Sequence, residues 1–599
     1  MSEGVHHAVT PGDADATVVL PTQGRRPGQF RFAPSLDRQA SAADLAALGG
    51  LNPLVEAANP LLAALPQIRH ALKHPDPTGL RTRLRKELDG FERAAQAVGV
   101  AEDRRFVARY ALCAALDDAA AATPWGRDWI AKGLVSELHG DATGADKFFA
   151  LLDPMLAQPD AYADLLEFFY ACLALGYEGR YRGGEGGRVA LAQIRTRLLG
   201  IIAGRRPPGG ELSARWRGAE IRPPRNWLAA IRAWLGWPGG GAKADASEPA
   251  TPEVGLLRRR FGEALGAARK ARFVSADGRR RTAAELPWYL LIGAPGSGKT
   301  TALLHAGLRF PLGDPQQDDG EGTLLPVRGT RNCDWWFTDE AMLLDTAGRY
   351  ATDDPDADRA AWLGLLDLLK LNRPRQPLNG AIVTLSVYDL VHWDEGEIER
   401  YAAQVRERVM ELQRRLGMRV PLYLLVTKAD LLAGFSEFFS GLDAEQRAQV
   451  WGVTFDRSEV HADPRRLVQR FEEEFDHLER RLYGILPARL HEERDLQRRG
   501  AIYRFPQQLR GTRPLIAVFL DAAFGSAWTG ERPFLRGIYL TSGTQEGSPI
   551  DRVVATLSRS FNLERKVQPP TIGTGKSFFL RRLLRDVIFG EAGLAQRND

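Results

Sequence analysis

Cysteine is nearly absent from this chain: Cys113, Cys172 and Cys333 are the only three in 599 residues. So few thiols, so far apart, make neither a disulfide framework nor a zinc site, and they fit a reducing compartment. Long apolar runs are missing too. LIAVFLDAAF at 515–524 falls short of the ~18 residues that a bilayer-spanning helix needs, and it contains Asp521. The amino end, MSEGVHHAVTPGDADATVVL, has no basic start, apolar stretch and small-residue cleavage site, so it does not read as a secretory signal. Charge of one sign is also scarce. Against 75 acidic groups stand 80 basic ones, a formal net charge of +5 that suggests at most a mild preference for an anionic surface and no nucleic-acid partner. Together these absences predict a soluble chain on the cytoplasmic side.

The length exceeds what one hydrophobic core supports and predicts a multidomain protein. Residues 1–40, rich in Pro, Gly, Asp and Arg without periodicity, read as a disordered tail. Residues 41–205 read as an all-α domain: Leu80, Leu84, Leu88, Phe91, Ala95 and Val98 recur at helical intervals, as do Leu191, Ile194, Leu198 and Ile202. Residues 206–255, with RRPPGGE, RPPRN and WPGGGAKADASEPATPE, read as a Pro/Gly-rich linker. It encloses one amphipathic stretch, NWLAAIRAWLGW, suited either to a membrane interface or to docking on a neighbouring domain.

After 255 short apolar strands alternate with helical runs, the rhythm of a doubly wound α/β sheet. The strands are WYLLIG (288–293), AMLLDTAG (341–348), AIVTLSV (381–387), PLYLLVTKAD (421–430) and GIYLTSG (537–543). We place an α/β P-loop NTPase domain with GTPase-like motifs at 256–460 and 501–550. A helical insertion at 461–500, rich in Arg and Glu, reads as solvated, and a helical extension occupies 551–599.

Gly293, Gly298, Lys299 and Thr300 satisfy G-x-x-x-x-G-K-[ST] between an apolar strand and a helix-forming run. Glycines there, with Gly296, let backbone N–H groups wrap phosphates, Lys299 reaches the terminal oxygens, and Thr300 ligates magnesium beside Thr301. TIGTGKS at 571–577 has Pro570 where the first glycine belongs, so it reads as a loop. Asp345 and Gly348 form D-x-x-G after the strand AMLL: a carboxylate for the metal's water and an N–H for a γ-phosphate. Arg349 stands where small GTPases usually carry a water-orienting glutamine, and it is a candidate catalytic group for slow or assisted hydrolysis. Thr330 is the candidate mobile threonine that completes magnesium coordination with Thr300 and Asp345. Thr427, Lys428 and Asp430 resemble the base-reading N-K-x-D signature with threonine for asparagine, and Ser542 could close the base pocket. The cofactor these residues imply is Mg2+ with ATP or GTP.

Asp117 and Asp118, adjacent on a helix, point about 100° apart and so do not form an acid/base pair. A buried network with Arg109, Tyr110 or Trp125 is the expectation. His139 and Cys113 lack partners at ligand spacing. Trp335 and Trp336 in NCDWWF read as core and sheet-edge residues, or as carriers of the nucleotide state to the helical domain.

From about 255 to the end, PWYLLIGAPGSGKTTALLHAGLRFPL, GTRNCDWWFTDEAMLLDTAGRY, LYLLVTKADLLAGFSEFF, QVWGVTF and RGIYLTSGTQEGSPIDR resemble, in order, the cytoplasmic region of the TssM (IcmF-like) proteins of type VI secretion systems. NPLVEAANPLLA, ARYALCAALDDAAAATPWG and FYACLALGYEGRYRGGEGG resemble the cytoplasmic domain of TssL, the DotU/IcmH family, with Asp118 where glutamate is expected. The resemblance implies a joining, natural or engineered, of two membrane-complex proteins on the cytoplasmic face of the bacterial inner membrane. In those families membrane spans flank these regions, and none is legible here. As partners it implies the two halves for each other, baseplate proteins, the lipoprotein-containing complex and further copies of the chain. The function it implies is assembly scaffolding with a nucleotide switch or slow nucleoside triphosphatase. The rival readings are a signalling GTPase with a helical regulator and a structural module with a vestigial cradle.

Overall fold

The computed structural model describes residues 52–127, 129, 132–141, 144–205, 210–217, 252–274, 278, 280–311, 333–351, 356–456, 464–525, 528, 533–544, 548–563 and 575–597. The expected tail, the NWLAAIRAWLGW stretch, Thr330 and residues 571–574 lie outside the described residues.

The first third is helical: α1 (Pro53–Arg69), α2 (Pro77–Ala97), α3 (Glu102–Ala121), α4 (Leu134–His139), α5 (Gly144–Ala157), α6 (Ala163–Ala174) and α7 (Glu185–Ala203). Two of these begin alike. Asn52 precedes Pro53 and its side chain accepts from the N–H groups of Leu54 and Val55; Asp76 precedes Pro77 and accepts from Gly79. A short oxygen acceptor followed by proline starts a helix well, because the first turn leaves the donor that proline lacks unused anyway. Leu80, Leu84, Leu88, Phe91 and Ala95 are the buried stripe of α2, whereas Val98 is its exposed carboxy-terminal cap.

The two α3 carboxylates are structural, with partners other than those expected. Gly133 starts α4 without a side chain to cap it, so Asp117 does: it accepts from Leu134 and Val135 N–H at 2.8 and 2.9 Å and from the Trp129 indole. Asp118 instead holds Arg69 and Arg182 at 3.0 and 2.6 Å.

The later part is built on a sheet of β1 (Trp288–Ile292), β2 (Cys333–Phe337), β3 (Met342–Thr346), β4 (Gly380–Ser386), β5 (Pro421–Thr427), β6 (Gly452–Thr454) and β7 (Phe534–Leu540), in the order β2-β3-β1-β4-β5-β7-β6. The five central strands run parallel; β2 and β6 are antiparallel edges, which makes NCDWWF an edge strand. From β1 the chain builds outward on one side and then returns to build on the other. Strand order therefore reverses beside β1, where sheets of this kind leave a crevice.

Around the sheet run α8 (Pro252–Lys270), α9 (Lys299–Leu304), α10 (Asp356–Asn372), α11 (Val387–His392), α12 (Glu395–Leu416), α13 (Pro464–Glu492), α14 (Leu496–Arg510), α15 (Arg513–Phe524) and α16 (Arg552–Phe561). Alternate residues divide between two apolar cores. Leu290, Val383 and Leu424 join that of α8, α10, α12 and α15, whereas Tyr289, Ile382 and Tyr423 join α9 and a carboxy-terminal segment that buries Leu583, Leu584, Val587 and Ile588. That segment is wound as a π-helix over Leu583–Phe589. Bonds that clasp it include Tyr289 Oη to Ile588 O at 2.6 Å, Tyr423 Oη to Glu591 at 2.8 Å, and Arg536 Nε to Glu591 at 3.0 Å. The stretch expected to be a helical extension thus covers one face of the sheet.

Two further expectations change. Residues 464–492 are not a solvated arm: α13 buries Leu467, Phe471, Phe475, Leu482, Leu486 and Leu490. With α14 it forms the seam to the first third. Tyr170 Oη donates to Pro487 O at 2.7 Å, Gln507 donates to the buried Asn59 at 3.3 Å, and Arg510 stands 3.3 Å from Glu56 and 3.4 Å from Glu479. One core runs through this seam from Leu54 to Phe579. Within the expected linker, residues 211–217 lie along the sheet's outer strand. Gly452 N–H donates to Ser213 Oγ at 2.8 Å and Thr454 N–H to Arg215 O at 3.0 Å, so the edge is covered rather than open.

Two outcomes follow from these buried charges. Glu591→Ala leaves Arg536, 2% exposed, without its carboxylate, and should lower stability by about 3–5 kcal/mol in urea denaturation. Burial, with Arg510 opposing and Asp476 and Glu56 reinforcing, lifts Glu479 from 4.5 to about 7. The folded chain then keeps a proton that the unfolded chain releases, so this group's contribution is most favourable at low pH and declines as pH rises from 4.5 through about 7. Glu479→Gln should remove that decline when denaturation midpoints at about pH 5 and about pH 8 are compared with those of the parent chain.

Candidate functional site

β1 ends at Ile292 and the chain turns through Gly293–Gly298 into α9. Gly296 and Gly298 have φ of 74° and 84°, a region side chains other than glycine's rarely enter, and these two positions shape the turn. Gly293 has a separate reason: a Cβ there would stand 2.0 Å from Thr384 Oγ1 on β4. The loop is braced from behind. Ala294 N–H donates to Tyr401 Oη of α12 at 3.0 Å, Ser297 Oγ pairs with Thr384 Oγ1 at 2.7 Å, and Thr427 Oγ1 at the end of β5 donates to Ser297 O at 2.6 Å. Thr427 therefore fastens the cradle, a job distinct from touching a base.

Lys299 is buried, and its Nζ donates to Gly293 O at 2.7 Å and Ala294 O at 3.0 Å. Burial pushes its ammonium below the usual lysine range, with Asp345 opposing. Thr300, at the exposed mouth, donates its hydroxyl to Asp345 Oδ2. Burial pushes the Asp345 carboxyl up, Lys299 and Thr300 opposing, and its Oδ1 is buried without a hydrogen-bond partner. A hydroxyl, a carboxylate with a spare oxygen and an ammonium thus converge where a divalent cation bearing phosphate would need them. Among the described residues no cluster of three His, Cys, Asp or Glu could hold a metal by itself, so such a cation would take most of its oxygen ligands from phosphate and water.

The other expected residues fall around this point, with differences. Gly348 lies against the cradle: a Cβ on it would be 2.2 Å from Pro295 N, so the two loops touch backbone to backbone. Arg349 has its Nη2 3.9 Å from Glu253 of α8. Lys428 adopts a left-handed conformation, φ 58°, with Nζ 6.0 Å from the Tyr388 ring centre, and Asp430 is buried next to it. Ser542 is buried and exchanges backbone hydrogen bonds with Phe578, at 3.1 and 2.9 Å, while Gly543 adjoins Thr301, whose Cγ2 lies 2.9 Å from where a Cβ would be. Sequence reading missed three members. Thr384 was a polar residue within the apolar run AIVTL, a usable signal; Tyr401 gave none. Asp389, pushed up to about 6 chiefly by burial with Lys428 and His392 opposing, follows that strand.

The fold defines a helical bundle sharing its core with a doubly wound α/β sheet whose first strand delivers a glycine-rich loop at the switch point. Residues 53–242 match the family described as type VI secretion system protein DotU, and residues 355–599 match the IcmF-related N-terminal domain. The chain thus carries a DotU-type (TssL-like) segment followed by an IcmF-related (TssM-like) segment, both types being of the type VI secretion system. It is 48% identical over 357 residues to the type VI secretion system component TssM1 of Pseudomonas aeruginosa, covering 59% of this chain. The chain spans 32% of that relative's length. Among solved structures, TssL from Vibrio cholerae is 29% identical, covering 26% of this chain and 99% of its own, at a TM-score of 0.24. SciP/TssL from enteroaggregative Escherichia coli 042 is 20% identical, covering 29% and 97%, at a TM-score of 0.23.

The contact between Gly348 and Pro295 leaves no room for a methyl group. Gly348→Ala should force the two loops apart, costing about 1–3 kcal/mol in thermal unfolding and raising amide exchange at residues 293–300.

Proposed function

We propose that this component of a type VI secretion membrane complex is an assembly scaffold. It holds TssL-type and TssM-type parts as one unit at the cytoplasmic face of the inner membrane and recruits baseplate proteins. Its loop at Gly293–Thr300 binds an Mg-nucleoside triphosphate and acts as a switch with slow turnover. The observation that carries the nucleotide reading is the convergence of Lys299, Thr300 and the half-satisfied Asp345 on one braced loop.

Each residue's part follows from its position. Lys299 exchanges two loop carbonyls for phosphate oxygens, a gain because a buried ammonium is held better by an anion than by dipoles. Thr300 and Asp345 orient the cation; Thr330, outside the described residues, stays a candidate further ligand from the sequence alone. The magnesium ion, when bound, supplies charge neutralisation of the phosphates. Gly348 reports the occupancy of the cradle to the loop after β3 because the two backbones are already in contact. Arg349, next to it, is held towards Glu253, which fits hydrolysis that is slow without help. Asp430 beside Lys428 favours guanine over adenine, its carboxylate accepting from the base while the lysine stem packs on the ring.

One observation favours the vestigial reading instead: Lys299 closes on its own loop carbonyls. Labelled GTP and ATP, with and without magnesium, separate the two. Magnesium-dependent binding, tighter for GTP and lost in Lys299→Ala while the fold is retained, is the expected result; binding unaltered by that substitution would remove the switch. Turnover should stay below about one per second, since a faster unassisted rate marks an enzyme rather than a scaffold.

A further inference from the structure

The seam contains a polar cluster that the nucleotide site does not use. Arg195 comes from α7, His491 from α13 and Arg499 from α14. Arg499 is 8% exposed, and its Nε and Nη1 are buried without a hydrogen-bond partner; Arg195 Nε and His491 Nδ1 are in the same condition. Arg195 and His491 are half-buried, so the cluster opens outward past them with Arg499 behind. The three repel one another: Arg195 opposes the charged forms of both Arg499 and His491, and Arg499 opposes that of His491.

Nearby groups are already engaged: Glu492, which favours the charged form of His491, holds Arg489 at 2.8 Å. Glu493 holds Arg498 at 2.6 Å and accepts from the N–H groups of Arg494 and Asp495, while Asp495 caps α14 through Arg498 N–H at 2.9 Å. Tyr170 Oη donates to Pro487 O. Thr196 gives its hydroxyl proton to Ala192 O at 2.9 Å, so its oxygen accepts from His491 Nε2–H at 3.4 Å, and the inward-facing Nδ1 becomes a donor in the imidazolium form, which a bound anion favours.

Unpaired donors on buried cations are costly, and so are like charges held together away from water. Water could satisfy the donors but would leave the repulsion in place. An anion relieves both. We propose that Arg195, His491 and Arg499 form a binding site for a small phosphate-class oxyanion at the contact between the TssL-type and TssM-type parts. Donors arriving from three helices match the several acceptor oxygens of a tetrahedral anion better than one carboxylate edge. Arg195 lies in the DotU match and the other two in the IcmF-related match, so the anion cross-links the halves. This site stands whether or not the glycine-rich loop binds nucleotide.

The test uses the full chain carrying Lys299→Ala, which silences phosphate binding at the loop. Inorganic phosphate is titrated at an ionic strength held constant with chloride, and the unfolding temperature is read. A saturable rise is expected; Arg195→Gln should weaken the apparent affinity about tenfold and Arg499→Gln should abolish the rise. Should Arg499→Gln fail to fold, the half-buried Arg195→Gln still decides. No rise beyond that of chloride, an equal rise with acetate, or an unchanged midpoint in Arg195→Gln would each overturn the site. Glycerol 3-phosphate distinguishes the source: protection by both compounds assigns the site to phosphomonoesters, and protection by inorganic phosphate alone assigns it to the free ion.

Discussion

A parallel sheet that is apolar on both faces must be covered on both, and this chain recruits the covers from stretches far apart in its sequence. On one side lie α8, α10, α12 and α15; on the other lie α9 and the segment ending near Glu591. The pair of Arg536 and Glu591 is what fastens the second cover, because it sets a buried guanidinium from β7 against a carboxylate more than fifty residues later. The first cover has a surface of its own, formed by α13 and α14, and on that surface the helical bundle rests through Asn59, Tyr170 and Arg510. Burial of the sheet, joining of the two family segments and placement of the glycine-rich loop are therefore linked steps of one packing problem.

The loop itself is tight rather than loose. Gly293, Gly348 and Gly543 mark places where a methyl group would collide with Thr384, Pro295 or Thr301. The loop after β1 is thereby held against β4 and against the loop after β3, and the loop after β7 against α9, with almost no slack, while Tyr401 and Thr427 brace the first of these from the helix and strand behind. Closeness of this kind makes small displacements hard to confine to one loop, since close-packed interiors transmit strain.

Much of this was legible in the sequence, for identifiable reasons. The strands around Leu290, Val383 and Leu424 announced themselves because a strand buried on both faces reads as an unbroken apolar run. Lys299 and Thr300 were singled out by the spacing of a glycine-rich loop motif and Asp345 by a D-x-x-G at a strand end, and the fold brings the Thr300 hydroxyl onto Asp345. The helix α13 was misread: its Arg and Glu residues dominate the composition, and the stripe from Leu467 to Leu490 that faces the bundle is visible only once the helix has something to pack on. Asp117 was given the wrong partners because its role depends on Gly133, a residue silent until α4 starts there without a cap. The segment near Leu583 was read only as part of a helical extension, since nothing local says that its apolar residues cover a sheet begun about three hundred positions earlier.

The last described strand residues, Gln596 and Arg597, pair with Arg419 and Met418 just ahead of β5, after the chain has crossed beneath the sheet. A mechanical pull on the backbone in this region would meet that short ladder first, then the ionic clasp at Glu591, and only afterwards the Phe578 bridge to Ser542. The order of these fastenings makes the segment a graded tether, in which modest tension is absorbed at the rim and only a load able to break a buried ion pair reaches the loops around Lys299.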